Sequence, residues 1–434
     1  MNAYRSLRVA LLGAGSVGSQ VARLLIDNRD ELAQRSGAAL DLIGIAVRSI
    51  DGPRDTDLPR ELFTTDAESL ILDADIVIEL IGGVEPARTL ILQALRSGAD
   101  VVTGNKALLA HHGPEIFAAA EQVGAAVRYE AAVAGAIPII RPLRESLAGD
   151  RVDRILGIVN GTTNFILDQM DQTGASFDDA LATATELGYA EADPTADIGG
   201  FDAQQKAAIL ASLAFHTSVP VSAVHCEGIT TVTAAQIESA KKAGFVVKLL
   251  AMCERIPGAN GRDGISARVY PALVPREHPL AAVHGGNNAV FVEAHAAGSL
   301  MFYGAGAGGM QTASAVLGDL VSIARRHVVG GPGLAETTHA DVDLLPISAI
   351  STRYAITLAV SDTPGVLATV AHIFAEHGVS VEQLEQQVRN AGTATLVIGT
   401  HLARESDLAA TVASLEASPV VVAVESVLRV EGVS

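Results

Sequence analysis

At 434 residues, with 49% hydrophobic and 18% charged side chains, the chain has room for two or three domains of ~100–200 residues each. Its apolar runs are broken well short of the ~18 residues that a membrane span needs, so no membrane partner is expected. The formal charge of −19, from 49 acids and 30 bases without a Lys/Arg cluster, argues against a nucleic-acid partner and leaves small-molecule chemistry. The start, MNAYRSLRVALLGAGSVG, lacks the basic, apolar and small-residue succession of a signal peptide. Cys226 and Cys253 form no CxxC pair, which suits a reducing cytoplasmic location without disulfides.

Over the first 130 residues, LRVALL, LDLIGIAV, DIVIELI, DVVTG and AVRYEA read as strands, separated by amphipathic stretches such as PARTLILQALRSG. This alternation predicts an α/β fold with a doubly wound parallel sheet. From about 137 the pattern shifts to longer helices, including FDAQQKAAILASLAF, and to later strands such as NAVFVEAH, which predicts a second, α+β region. The segment VVGGPGLAETTHADVDLLPI has no period and reads as a linker. Beyond it, strand, helix, two strands, helix and strand succeed one another, the ferredoxin-like βαββαβ order.

GAGSVG, Gly13 to Gly18, stands between a strand and a helix and matches G-x-G-x-x-G. Gly13 permits a tight turn, Gly15 lets the backbone approach a pyrophosphate, and Gly18 allows helix to pack on sheet. Ala14, Ser16 and Val17 fill the rest of that cofactor loop. The second strand ends on Val47, Arg48 and Ser49 rather than on an acid. An arginine there suits a 2′-phosphate, hence NADP with NAD also accommodated, although an exposed loop arginine is the plainer reading. A second G-x-G-x-x-G, Gly304 and Gly306 in GAGAGG, has no new βαβ unit after it. It either returns the chain to the cofactor or simply starts a helix. TGNKALLA lies at the end of the fourth strand, where open α/β sheets bind ligands, so that Lys106 can face both cofactor and substrate, with Thr103 on the cofactor side; a surface lysine that starts a helix is the plainer alternative.

In EADPTADIGGFDAQQK, Asp202 and Lys206 are four apart on one helical face. A solvated pair is the ordinary explanation, but AAILASLAF follows directly, so the helix is buried and its charges need partners. The spacing of Asp193, Asp197 and Asp202 fits no EF-hand and no His joins them, so the surplus of acids, Glu191 included, suits the ammonium of an amino acid instead. Two lysines, a nicotinamide site and an ammonium-seeking cluster together point to hydride exchange on the alcohol or aldehyde of an amino acid.

These motifs, with YEAAVAGAIPII, NGTTNFIL, YGAGAGGMQTASAV and DTPGVL, resemble the homoserine dehydrogenase family in its long bacterial form, over nearly the whole chain. The resemblance implies a Rossmann-type domain over 1–136 with a return helix at about 309–327, and a substrate-binding and dimerisation domain over 137–308. A linker over 328–349 and a ferredoxin-like ACT domain over 350–434 would complete the chain. It implies NAD(P)-dependent interconversion of L-homoserine and L-aspartate 4-semialdehyde, with Lys206 as acid/base and Lys106 assisting. Glu191, Asp197, Asp202 and Thr162 would bind substrate. Backbone carbonyls of Glu130, Val133, Gly135 and Ile137 would hold a monovalent cation, expected to be Na+. The loop with Asp362 and Gly365 would bind an amino-acid effector, expected to be threonine, in a dimer or tetramer. Two rivals are a catalytically inactive amino-acid sensor and an aspartate-semialdehyde dehydrogenase, the latter requiring a nucleophilic cysteine.

Overall fold

The computed structural model describes every residue except 1–4, 53–56, 259–261, 332–335, 337, 391 and 433–434. The chain forms two compact units: one comprises Met1–Gly161, Asp202–Val224 and Gly286–Asp341, the other Thr162–Phe201, His225–Gly285 and Val342–Ser434.

In the first unit, β1 (Arg5–Leu12), β2 (Ala38–Ala46), β3 (Phe63–Thr64), β4 (Ile76–Glu79), β5 (Asp100–Thr103) and β6 (Val127–Arg128) form one sheet in the order β3-β2-β1-β4-β5-β6. Every pairing in it is parallel, as the alternation of strands and helices predicts. The order reverses beside β1, and that switch point opens a crevice at the C-terminal strand ends. The helix Gly309–Val329 returns to this sheet, where Val316, Leu320 and Ile323 share a core with Val21 and Leu25 of the helix Ser16–Asp27 and with Val9, Leu11 and Ile78 of the strands. At roughly 1.5–3 kcal/mol per buried side chain, this apolar face explains why a segment so late in sequence belongs to the first unit. The same unit holds an antiparallel sheet of Val152–Ile158, Asn287–Ala294 and Gly298–Ala305. That pairing draws residues of the 150s and 290s together, so the compact units interleave in sequence.

The second unit contains the antiparallel pair Phe245–Ile256 and Gly264–Pro275. Its C-terminal part has Ser351–Ser361, Val366–Glu376, Val381–Asn390, Thr393–Thr400, Glu405–Glu416 and Val421–Val430 in strand-helix-strand-strand-helix-strand succession. Both helices pack on a core of Ile356, Leu358, Leu396, Ile398, Val370, Leu408 and Leu415. Two expectations need adjustment at their edges. AVRYEA gives only a two-residue strand before a 3-10 turn at Glu130–Ala132. The segment expected as linker begins inside the helix that ends at Val329, and it includes a short strand, Asp343–Leu344, bonded to Gly264 and Ile265.

Candidate active site

The helix Phe201–Phe215 is apolar nearly all round, with Ala207, Ala208, Leu210, Ala211 and Phe215 buried. Its first turn therefore carries Asp202 and Lys206 inward, each only 8% exposed. The Lys206 ammonium donates to Asp202 Oδ2 at 2.7 Å and to the Val159 carbonyl at 2.6 Å. Asn160 Nδ2 donates to the same Asp202 oxygen at 3.0 Å. The other oxygen, Oδ1, meets Lys106 Nζ at 3.0 Å. Lys106 starts the helix that follows β5, with Asn105 as its N-cap, and its side chain is 41% exposed. Burial pushes the Asp202 carboxyl up, but Lys206 and Lys106 outweigh it and hold the group well below the usual carboxylate range. The site is thus one ionised carboxylate gripped by two lysines.

The cofactor loop lies in the same unit. Gly13 has φ +99° and donates to the Ala46 carbonyl at 2.9 Å; a Cβ there would stand 2.7 Å from the Leu80 carbonyl oxygen. A Cβ on Gly18 would come within 2.1 Å of the Gly13 oxygen, whereas one on Gly15 would meet nothing within 4 Å. Two glycines are thus required by the turn itself, while Gly15 borders open space at a helix N-terminus, which fits a pyrophosphate. Ala14, Ser16 and Val17 complete the loop, and the helix begins at Ser16. Arg48 is exposed just past the end of β2. In the second glycine motif, a Cβ on Gly309 would lie 2.7 Å from the Ser16 carbonyl oxygen. GAGAGG therefore returns to the first glycine loop. Gly306 packs on Asn288, whose fully buried amide has no hydrogen-bond partner at either polar atom among the described residues. Thr103 is buried and its hydroxyl donates to Glu79 at 2.6 Å.

Sequence reasoning missed Glu79 and Asn160. Glu79 is fully buried at the end of β4 and accepts from Ile81 N and Gly82 N at 2.8 and 3.3 Å, so it shapes the floor of the crevice. An acid ending an otherwise apolar strand was its signal.

The segment Glu130–Arg141 is stapled at both ends. Asp319 accepts from Glu130 N at 2.7 Å, and the Glu130 carboxylate accepts from Ile139 N and Ile140 N at 2.5 and 2.8 Å. Between them Ala134 and Gly135 both have positive φ, 59° and 58°. No cluster of three His, Cys, Asp or Glu side chains suited to a metal occurs among the described residues.

Glu191, Asp197 and Thr162 belong to the second unit. Glu191 is exposed, Asp197 is half-buried, and the Thr162 hydroxyl donates to the Tyr189 carbonyl at 2.6 Å. Asp193 caps its own turn by accepting from Thr195 N at 3.1 Å. Neither cysteine has the setting of a nucleophile. Burial, helped by Glu227, pushes the Cys226 thiol up to about 11, and burial pushes Cys253 to about 12. At the start of the helix Val366–Glu376, a cavity of about 310 Å³ is lined by Ser361, Asp362, Pro364, Gly365, Val366 and Gln386. Among the described residues, no helix is long and apolar enough to cross a membrane.

Comparison with known proteins agrees with this geometry. Residues 13–130 match the family model "Homoserine dehydrogenase, NAD binding domain", residues 138–321 match "Homoserine dehydrogenase", and residues 354–419 match "ACT domain". The homoserine dehydrogenase of Corynebacterium glutamicum is 54% identical over 98% of this chain and 95% of its own length. The crystal structure of a homoserine dehydrogenase from Thiobacillus denitrificans superposes with a TM-score of 0.91 at 39% identity, covering 99% of both chains. A hyperthermophilic archaeal homoserine dehydrogenase in complex with NADPH superposes with a TM-score of 0.61 at 28% identity, covering 75% of this chain and 99% of its own.

Proposed function

The chain belongs to the homoserine dehydrogenase family and is a nicotinamide-dependent oxidoreductase of that activity; from that premise we propose that Lys206 is the acid and base in its interconversion of L-homoserine and L-aspartate 4-semialdehyde. One observation carries the assignment. An ammonium has three N–H donors, and Lys206 spends two of them, on Asp202 and on the Val159 carbonyl. The third is left for a substrate oxygen, held in direction by the other two.

In the reduction direction Lys206 donates this proton to the aldehyde oxygen as it gains negative charge. In oxidation the neutral amine takes the hydroxyl proton back, and the ionised Asp202 stabilises the ammonium that results. Lys106, on the opposite oxygen of Asp202, places a second positive charge beside the reacting oxygen. Glu191 and Asp197 bind the substrate ammonium, with Thr162 ordering the adjoining backbone through Tyr189.

NADP, when bound, exchanges the hydride with the substrate carbon. Gly13, Ala14, Gly15, Ser16, Val17 and Gly18 would hold its pyrophosphate, and the open space beside Gly15 supports that fit. Gly304 and Gly306 lie beside Ile137 and Asn288, whose unpartnered amide leaves both a donor and an acceptor, and Gly309 meets the first glycine loop at Ser16. Arg48 favours the 2′-phosphate. The backbone carbonyls of Glu130, Val133, Gly135 and Ile137 would hold a monovalent cation, as the family resemblance implies. The Asp362 to Gly365 loop binds an amino-acid effector, threonine by family resemblance, in a homo-oligomer of this chain.

The test is an assay of aspartate semialdehyde reduction with NADPH and NADH in parallel, with and without threonine. Turnover that favours NADPH is expected; absence of turnover with either cofactor would sink the assignment and leave an amino-acid sensor.

A further inference from the structure

One edge of the strand Gly264–Pro275 carries two parallel bridges of consequence: His225 and Cys226 lie beside Arg268 and Val269, and Arg429 and Val430 lie beside Ala272 and Leu273. Arg429 belongs to the last strand of the ACT domain, yet its guanidinium reaches outside that domain. Nη2 and Nε donate to Glu405 at 2.6 and 2.9 Å, Nη1 donates to Glu227 at 2.9 Å, and the group lies 4.4 Å from the centre of the Tyr270 ring. Glu227 is fixed from the other side too, by His225 Nε2 at 2.7 Å and by its own N–H on the Val269 carbonyl at 2.8 Å. Burial raises the Glu227 carboxyl, but the bonds from His225 and Arg429 prevail and hold it at about 2.

The residues around Glu227 grip the turn that carries Asp197. Ile229 N donates to the Ile198 carbonyl at 2.8 Å, and Cys226 Sγ contacts the Gly199 carbonyl at 3.5 Å. Gly228 and Ile198 pack so closely that a Cβ on Gly228 would stand 2.2 Å from the Ile198 oxygen, and a Cβ on Gly200 would lie 3.2 Å from the Glu227 oxygen. Backbone this tightly interlocked moves as one piece. The other end of the relay is the strand ladder: Tyr354 pairs with Arg429 and Val360 with Val421, so the strand Ser351–Ser361 runs from beside this ion pair to the cavity, which Val360 and Ser361 line.

We propose that Glu227 is a positioning residue for the turn Asp197–Gly200, held in place by Arg429, and that an effector in the ACT cavity acts on substrate binding through this ion pair. The proposal rests on the reading that Asp197 serves the substrate. Glu227→Gln removes the charge without changing the shape, whereas Glu405→Gln removes another Arg429 partner and leaves the link to residue 227 intact. In the full-length enzyme, Glu227→Gln is expected to raise KM for aspartate semialdehyde about tenfold, the loss of one charge-assisted hydrogen bond. KM for NADPH should stay unchanged, threonine inhibition should weaken, and Glu405→Gln should keep wild-type values of all three. Hydrogen exchange of the amides in 195–202 should accelerate in Glu227→Gln and in Glu227→Asp; the latter keeps the charge on a shorter stem and serves if the amide variant does not fold. Wild-type KM, threonine response and exchange in a folded variant overturn the proposal. Asp197→Asn separates it from the underlying reading: unchanged substrate KM there, beside accelerated exchange in Glu227→Gln, means the turn is positioned as described but does not bind substrate.

Discussion

Lys106 and Lys206 hold opposite oxygens of a single carboxylate, Asp202, at 3.0 and 2.7 Å. That charge offsets the repulsion between two ammonium groups brought to one carboxylate. Asp202→Asn should therefore abolish activity and lower the melting temperature, since an uncompensated buried charge costs ~3–5 kcal/mol. The pH dependence has a definite sign. Asp202 has a folded pKa depressed below its ordinary 3.8, so its stabilisation is present above about pH 4 and is lost as pH falls through the folded value. Melting curves from pH 7 down to pH 3 should show the gap between wild type and Asp202→Asn narrowing only at the acid end. A constant gap contradicts the role of the charge.

The glycines of the cofactor loop should separate by variant. Gly15→Ala meets no protein atom within 4 Å, so it should fold normally and weaken NADPH binding by about tenfold or more, because only the cofactor needs that space. Gly18→Ala puts a methyl 2.1 Å from the Gly13 oxygen and should lose thermal stability as well. Melting temperature and NADPH fluorescence titration, read together, distinguish the two.

Arg48→Ala should narrow the preference for NADPH over NADH, chiefly by raising KM for NADPH. An unchanged cofactor ratio would leave Arg48 as an ordinary exposed loop residue.

Lys248 is a buried lysine outside the catalytic pair, donating to Asn164 Oδ1 at 2.9 Å and to the Val283 carbonyl at 2.6 Å. Burial lowers its pKa from 10.5 to about 8, with Asp168 and Asp171 opposing. Between those values the unfolded chain binds the extra proton, so stability rises with pH over that window. Thermal melts from pH 8 to 10.5 should show wild type gaining on Lys248→Met. Parallel curves would contradict the desolvation of this amine in the folded chain.

Much of this architecture was legible in the chain. Short β-branched apolar runs between amphipathic stretches locate five of the six strands of the parallel sheet, and β3 escapes because Phe63–Thr64 is only two residues long. The strands Val152–Ile158 and Phe245–Ile256 are harder to read, because charged residues interrupt their apolar runs. The pairing of Asp202 with Lys206 followed from their four-residue spacing. That Lys106 shares the same carboxylate did not, because contact between distant segments depends on tertiary structure. The Val159 carbonyl is a backbone group without any side-chain signature. GAGAGG was ambiguous in sequence; its closeness to Ser16 depends on the late helix packing back on the first one.

The most direct measurement is the rate of aspartate semialdehyde reduction by Lys206→Ala and Lys206→Arg beside wild type, with NADPH binding and melting temperature checked on each. Arginine keeps the charge but cannot give up its proton near neutrality. Both variants should bind NADPH as wild type does and lose about 10²- to 10⁴-fold in kcat, the range of general acid–base catalysis. A Lys206→Arg enzyme with near wild-type kcat would contradict proton transfer by Lys206 and leave it only a charge.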